Sequence, residues 1–329
     1  MCLRQSEVAN AKTSRLGTFL KCKILASIPS PLSNLRRVFR LIAILSLLGQ
    51  IFLSDKAHAQ TKPLVVSSFT IIADWTHIIG KEGVMVENIV PARSETHGFQ
   101  ISPKQARDLR HADLIVGMSP SLEPWLEAWA KANHRTEALI WLHPEESGSA
   151  HAHDADPHVW TDPNEVKTMV RLLARRLAAI APRLNTEETY HQYVKEIDRV
   201  DEELKRLFAS LPAERRVLLT QHANLGHFAA AYGLRIPRTI LAGNSAEAAD
   251  PSARHFSDLL RTIKKEGVRV VVTDAGQNDA FARRLTEDAG LPPPLALSFE
   301  YLEPPGRPGD SWVSMMLLNG RRLHDALAR

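Results

Sequence analysis

Short runs of β-branched and apolar residues alternate with helix-period segments, and that alternation permits few folds other than parallel sheets covered by helices. In the first half, strand candidates fall at 64–67, 84–90, 114–118 and 139–141, with helices at 71–79, 103–109 and 125–130. A second set has strands at 216–219, 235–240, 269–272 and 295–298, with helices at 224–232, 252–265, 280–289 and 311–328. Two long helical patterns separate the sets. One spans 163–180 and stops before Pro182; the other starts at the capping residues Asn185 and Thr186 and runs to about Leu211. In the second pattern Tyr193, Ile197, Val200, Leu204, Leu207, Phe208 and Leu211 recur near a 3.6-residue period. At 1.5 Å per residue it is on the order of 37 Å long, enough to brace two lobes and permit only small hinge motion. The expected architecture is therefore α/β, with two small parallel-sheet lobes joined by a single long helix. An N-terminal lobe covers 60–184, the linking helix 185–211 and a C-terminal lobe 212–329. A length of 329 residues with 44% hydrophobic content suits two domains around separate cores.

The first 59 residues differ in character. Arg36, Arg37 and Arg40 precede an apolar run at 41–52, and Ala57-His58-Ala59 follows as a small-x-small cleavage signal. This reads as a secretory signal peptide cut near Ala59. The run is about a dozen residues, short of the roughly twenty that span a bilayer, so no membrane span is expected after cleavage. Nine of the 41 Lys/Arg and two of the 37 Asp/Glu lie in this leader, which leaves 32 basic against 35 acidic groups. The formal charge thus changes from +4 to −3 on cleavage, and the chain's basic character is no argument for nucleic-acid binding. Both cysteines, Cys2 and Cys22, lie in the leader without a lipobox. The expectation is a free periplasmic monomer with no disulfide, in which any metal site must use histidine and carboxylate.

Asp156-Pro157-His158-Val159-Trp160-Thr161-Asp162-Pro163 puts an imidazole in a short rigid loop ahead of a well-signalled helix. Asp162 is a suitable N-cap, Pro163 fits the first helical position and Glu165 stands three residues past the cap. Three other side chains are candidates to converge on His158. His97, in Ser94-Glu95-Thr96-His97-Gly98-Phe99, lies past the carboxyl end of a strand, where open α/β sheets place ligands. His222 follows the 216–219 strand and opens the next helix, whose dipole favours a neutral ring. Asp310, in Gly309-Asp310-Ser311-Trp312, precedes the last helix. Three neutral imidazoles and a carboxylate make a four-coordinate N/O set that suits zinc well and manganese or iron less well.

Each residue also has a plainer explanation. His97 fits a solvated loop, His222 a cap-region histidine, and Asp310 an N-cap. His227 reads as packed or superficial, and Trp312, Met315 and Met316 as core, as does Trp125 with Leu122 and Leu126. His151 and His153 form a short His/Asp tract that binds metal loosely or not at all. Glu95, Asp274 and Asp279 are loop carboxylates that support a site at most. HExxH, GxSxG, Walker and strand-linked GxGxxG motifs are missing, so protease, hydrolase and nucleotide-binding readings lack their usual geometry.

In order, the His97 loop, Ala112-Asp113-Leu114-Ile115-Val116, Leu122-Glu123-Pro124-Trp125, Asp156-Pro157-His158-Val159-Trp160, His222 before Phe228, and Gly309-Asp310-Ser311 resemble the zinc and manganese group of metal-binding solute receptors of ABC importers. The resemblance covers Leu64 to the C-terminus. It implies one ion held in the interlobe cleft, with His97 and His158 from the first lobe and His222 and Asp310 from the second. Histidine at the third position is similar to zinc receptors, where glutamate is typical of manganese receptors. The implied function is a periplasmic zinc receptor that delivers Zn²⁺ to an inner-membrane ABC permease; a manganese or iron receptor is the alternative. From a different class, a periplasmic zinc hydrolase would hold the metal with the three histidines and use Asp310 as base; an adhesin sharing the fold is a third. Because histidines must be neutral to bind, metal affinity is expected to fall below about pH 6.5.

Overall fold

Val65 and Val66 are both fully buried although they point to opposite faces of one strand, as are Ile115 and Val116, so these strands are central and covered on both sides. The computed structural model describes residues 61–329, apart from residue 95 and segments 145–155 and 242–251. The proposed leader at 1–59 and the His151/His153 tract therefore lie outside the described residues. In the first lobe, β1 (Leu64–Phe69), β2 (Met85–Val90), β3 (Leu114–Gly117) and β4 (Leu139–Trp141) form an all-parallel sheet in the order β2-β1-β3-β4. Helices α1 (Thr70–Gly80), α2 (Pro103–His111) and α3 (Pro124–Ala132) alternate with them, as parallel crossovers require. The second sheet, also parallel, has β5 (Leu218–Thr220), β6 (Val270–Asp274) and β7 (Leu295–Leu297) in sequence order. The strand expected at 235–240 supplies only two isolated bridges, Val217 to Arg235 and Thr220 to Thr239. Pro237 has no N–H to give a ladder there, which confines the segment to the sheet edge.

Two helices, α4 (Pro163–Ile180) and α5 (Thr186–Ala209), separate the sheets in the chain. Asp162 caps α4 by accepting the Asn164 N–H at 2.8 Å, and Asn185 caps α5 by accepting the Glu188 N–H. The 24 residues of α5 make a rod of about 36 Å. The remaining helices are α6 (Gly226–Tyr232), α7 (Ala253–Glu266), α8 (Ala280–Ala289) and α9 (Trp312–Ala328). Helix α5 packs against α1 and α4 on one side of the chain order and against α6 and α9 on the other. Its Tyr193, Ile197, Val200, Leu204 and Phe208 are buried between them.

That packing alters the expectation of separate cores. One apolar core runs from Val66 and Ile115 through Leu173, Ile197 and Leu204 to Phe228, Met315 and Met316. A smaller cluster of Leu219, Leu259, Val271 and Leu285 lies beneath α7 and α8. The lobes thus keep their own sheets but share apolar interior along α5, and residues 61–329 form one compact unit. Among the described residues no helix is long and apolar enough to cross a membrane.

Glu123, fully buried, fixes the turn after β3: its Oε2 accepts the N–H groups of Met118 at 2.6 Å and Ser119 at 3.2 Å. Burial raises its carboxyl from 4.5 to about 7, against the opposing pull of those donors. With a folded pKa above the unfolded one, Glu123 takes up a proton on folding; its contribution is present in acid and is lost as pH rises through about 7. Relative to Glu123→Gln, the wild-type protein is expected to lose about 3 kcal/mol of stability between pH 5 and pH 8. Urea unfolding at both pH values checks this, and parallel pH dependence in the two proteins would refute it.

Candidate metal centre

The carboxyl ends of parallel strands gather the site, as open α/β sheets do. His97 lies in the loop after β2, His222 two residues past β5, and Glu300 three residues past β7. His158 comes from the connection between β4 and α4, immediately before a 3₁₀ turn at Val159–Thr161. The imidazole Nε2 atoms of His97 and His158 are 3.3 Å apart, and Glu300 Oε1 stands 3.4 Å from His158 Nε2 and 2.7 Å from His222 Nε2. One ligand atom each from His158, His222 and Glu300 falls within a 4.8 Å circle, a spacing that can hold a metal ion. His158 and His222 are at most 1% exposed.

Each ring is aimed by a group behind it. Asp156 Oδ1 accepts from His158 Nδ1 at 2.6 Å and from the His158 backbone N–H at 3.0 Å, while its Oδ2 accepts the Gly226 N–H at the start of α6 at 2.9 Å. Asp274 Oδ2 accepts from His222 Nδ1 at 2.7 Å. Protons fixed on both Nδ1 atoms leave the Nε2 lone pairs facing inward, the arrangement of a carboxylate–histidine pair behind a metal. His222 Nε2 is buried and stands 2.7 Å from Glu300 Oε1, so the pair faces the same point and can take a proton or a metal cation there. The His97 loop is propped by Trp125, whose indole N–H donates to the Thr96 carbonyl at 2.8 Å and whose ring packs on Phe99. Trp160 Nε1 donates to the Phe299 carbonyl at 2.7 Å, which ties the His158 loop to the residue before Glu300. At the rim Arg93, held at φ 64°, makes two contacts of 2.8 and 3.0 Å to the carboxylate of Glu303.

The electrostatics are uneven. Burial, reinforced by charge at His158, lowers His97 to about 4 and keeps that ring neutral. Burial also disfavours charge on His222, but the Glu300 carboxylate and Asp274 outweigh it and raise its pKa; on the partly buried Glu300 desolvation is outweighed by His222, which drives its pKa down. Without an ion, the centre therefore holds a proton between His222 and Glu300.

The three expected histidines come together, whereas Asp310 does not join them. Its Oδ2 accepts the Gly306 N–H at 2.8 Å, and it lines a separate cleft of about 310 Å³ with Asp74, His77 and Glu303. There its charge adds to burial in raising Asp74 to about 6. Nor does Asp310 cap α9; Ser311 accepts the Ser314 N–H and fills that role. The carboxylate that lies with His158 and His222 is Glu300. Glu300 has no cap or motif around it, but the rule that pointed to His97, a loop past the carboxyl end of a strand, applies to it equally. His222 also does not open a helix, since α6 begins only at Gly226, so neighbouring carboxylates and not a helix dipole govern its charge. Asp274 stands directly behind a ring, Asp279 pairs with Arg283 on the surface, and His227 Nε2 donates to the Asp156 carbonyl at 2.9 Å. Glu95, His151 and His153 lie outside the described residues.

A fold of two parallel-sheet lobes in which His158, His222 and Glu300 gather with His97 beside His158 is that of a metal-binding receptor. Residues 65–326 match the family model for the periplasmic zinc-uptake complex component A, ZnuA, and the chain belongs to that family. It is 24% identical over 310 residues to the zinc-binding lipoprotein AdcA of Streptococcus pneumoniae, covering 88% of this chain but only 60% of AdcA. With the manganese ABC transporter substrate-binding lipoprotein PsaA of Streptococcus mitis it shares 25% identity over 291 residues, covering 84% of this chain and 92% of PsaA. The solved periplasmic zinc-binding protein TroA of Treponema pallidum superposes with a TM-score of 0.72 at 24% identity, covering 82% of this chain and all of TroA, which shows a common fold.

A Cβ at Gly226 would lie 2.7 Å from Asp156 Oδ2, so only glycine allows that carboxylate to reach the α6 backbone and the His158 ring together. Gly226→Ala is expected to destabilise the protein by about 1–3 kcal/mol through this overpacking. Urea unfolding measures it; an unchanged midpoint would mean that Asp156 does not depend on the close approach.

Proposed function

We propose that this chain is a periplasmic receptor that captures Zn²⁺ and hands it to the permease of an ABC importer, with His97, His158, His222 and Glu300 as the ligands. The observation that carries this reading is that ligand atoms of His158, His222 and Glu300, from segments far apart in the chain, lie within 4.8 Å of one another, with His97 Nε2 3.3 Å from His158 Nε2 beside them. An ion gripped in this way cross-links the lobes, so binding free energy is coupled to closure. With His97 as a fourth protein donor the shell would leave no position for an activated water, which favours a receptor over a hydrolase. The relatives carry both zinc and manganese in their names, so the choice of metal rests on the donors: three imidazoles and one acid are softer than manganese prefers. A leader cut near Ala59 and action as a monomer complete the reading.

His222→Ala or Glu300→Ala is expected to weaken Zn²⁺ binding at least tenfold, about 1.4 kcal/mol, whereas Asp310→Ala changes it far less. Competition titration of the metal-stripped protein measures all three; the opposite ranking would return the fourth ligand to Asp310.

Because Glu300 and Asp274 hold His222 charged in the metal-free protein, an entering ion must displace a proton above the pH range set by ordinary histidine. His97, at about 4, is already neutral. Apparent Zn²⁺ affinity is therefore expected to keep rising about tenfold per pH unit between pH 7 and pH 8, with about one proton released per ion. Calorimetry in buffers of different ionisation enthalpy counts the proton, and a flat affinity with no release would contradict the proposed His222 charge.

A further inference from the structure

Asn224 lies two residues beyond His222, is only 4% exposed, and offers both hydrogens of one amide to two acids. Its Nδ2 donates to Asp274 Oδ1 at 2.7 Å and to Glu300 Oε1 at 3.1 Å. Since both acceptors are carboxylates, the amide nitrogen and not its oxygen must face them. Asp274 uses its other oxygen on His222 Nδ1, and Glu300 Oε1 faces His222 Nε2, so the four residues close a ring around the second-lobe half of the centre. A neutral donor can join two carboxylates in this way without adding charge to a buried site.

We propose that Asn224 is a specificity-determining residue that tethers Glu300 through Oε1 and thereby selects zinc over manganese. The inference rests on the metal-receptor reading above. For Glu300 to chelate an ion with both oxygens, its carboxylate must rotate, and rotation breaks the bond to Asn224 and separates Oε1 from the ring of contacts. Zinc is satisfied by four donors and one carboxylate oxygen, whereas manganese favours more oxygen ligands, which a chelating carboxylate would supply. The tether therefore costs manganese more than zinc. Asp274, bonded to the same amide, keeps His222 directed at the same point, so loss of Asn224 loosens the acid first and the ring second.

The test uses metal-stripped wild-type protein, Asn224→Ala and the near-isosteric Asn224→Leu, each titrated separately with Zn²⁺ and Mn²⁺ against a chromophoric chelator. The ratio of Zn²⁺ to Mn²⁺ affinity is expected to fall at least tenfold in both variants. Electron paramagnetic resonance of the Mn²⁺-loaded variants is expected to differ from that of the loaded wild type. Equal weakening for both ions would make Asn224 merely structural and overturn the proposal, as would an unchanged ratio. Wild-type protein that binds neither ion tightly would instead overturn the receptor reading itself, and this inference with it.

Discussion

The approach of the partly buried Glu300 to the fully buried His222, 2.7 Å apart, is the constraint around which the rest of the centre is arranged. A carboxylate and an imidazole kept from water at that distance need a cation between them, because uncompensated burial of the charge would cost several kcal/mol. A proton can serve; a divalent ion of suitable donor preference serves better, because His158 adds a further nitrogen within 4.8 Å of both and His97 stands 3.3 Å from that nitrogen. The centre is thus poised for exchange of one cation for another, and its affinity is set by that competition and not by metal coordination alone.

Holding the pair in place takes contributions from both lobes. Asp156 orients His158 and also reaches the α6 backbone, Trp160 reaches the carbonyl beside Glu300, and Arg93 pairs with Glu303 at the rim. These ties lie within a few residues of the donors they position. Behind them α5 merges the interiors of the two lobes into a continuous apolar core, which limits relative movement to what a packed helix tolerates.

Much of this was legible in the chain because the signals were local. The strand runs and long helical patterns produced the observed order of elements, with caps at Asp162 and Asn185 where expected. His97, His158 and His222 were identifiable as histidines in loops past strand ends or pinned by proline and a cap. Glu300 was missed because it stands between Phe299 and Tyr301 with no cap, motif or spacing to distinguish it from any superficial acid. The family resemblance points to Asp310 as the acid, but its carboxylate accepts the Gly306 N–H in another cleft. The edge segment containing Pro237 was over-read as a strand because apolar pattern alone does not weigh a missing donor.

By itself the sequence determined the class of fold, the helical brace, and a donor set limited to nitrogen and oxygen once both cysteines fall in the proposed leader, since these follow from periodicity, capping chemistry and composition. Tertiary structure alone decided which acid lies beside His158 and His222, that the lobes share an interior, and that carboxylates rather than a helix start surround His222 and raise its pKa. The physical reason is that ligand choice, core continuity and pKa depend on distances between residues dozens to hundreds of positions apart, and such distances are set by packing and not by any local pattern.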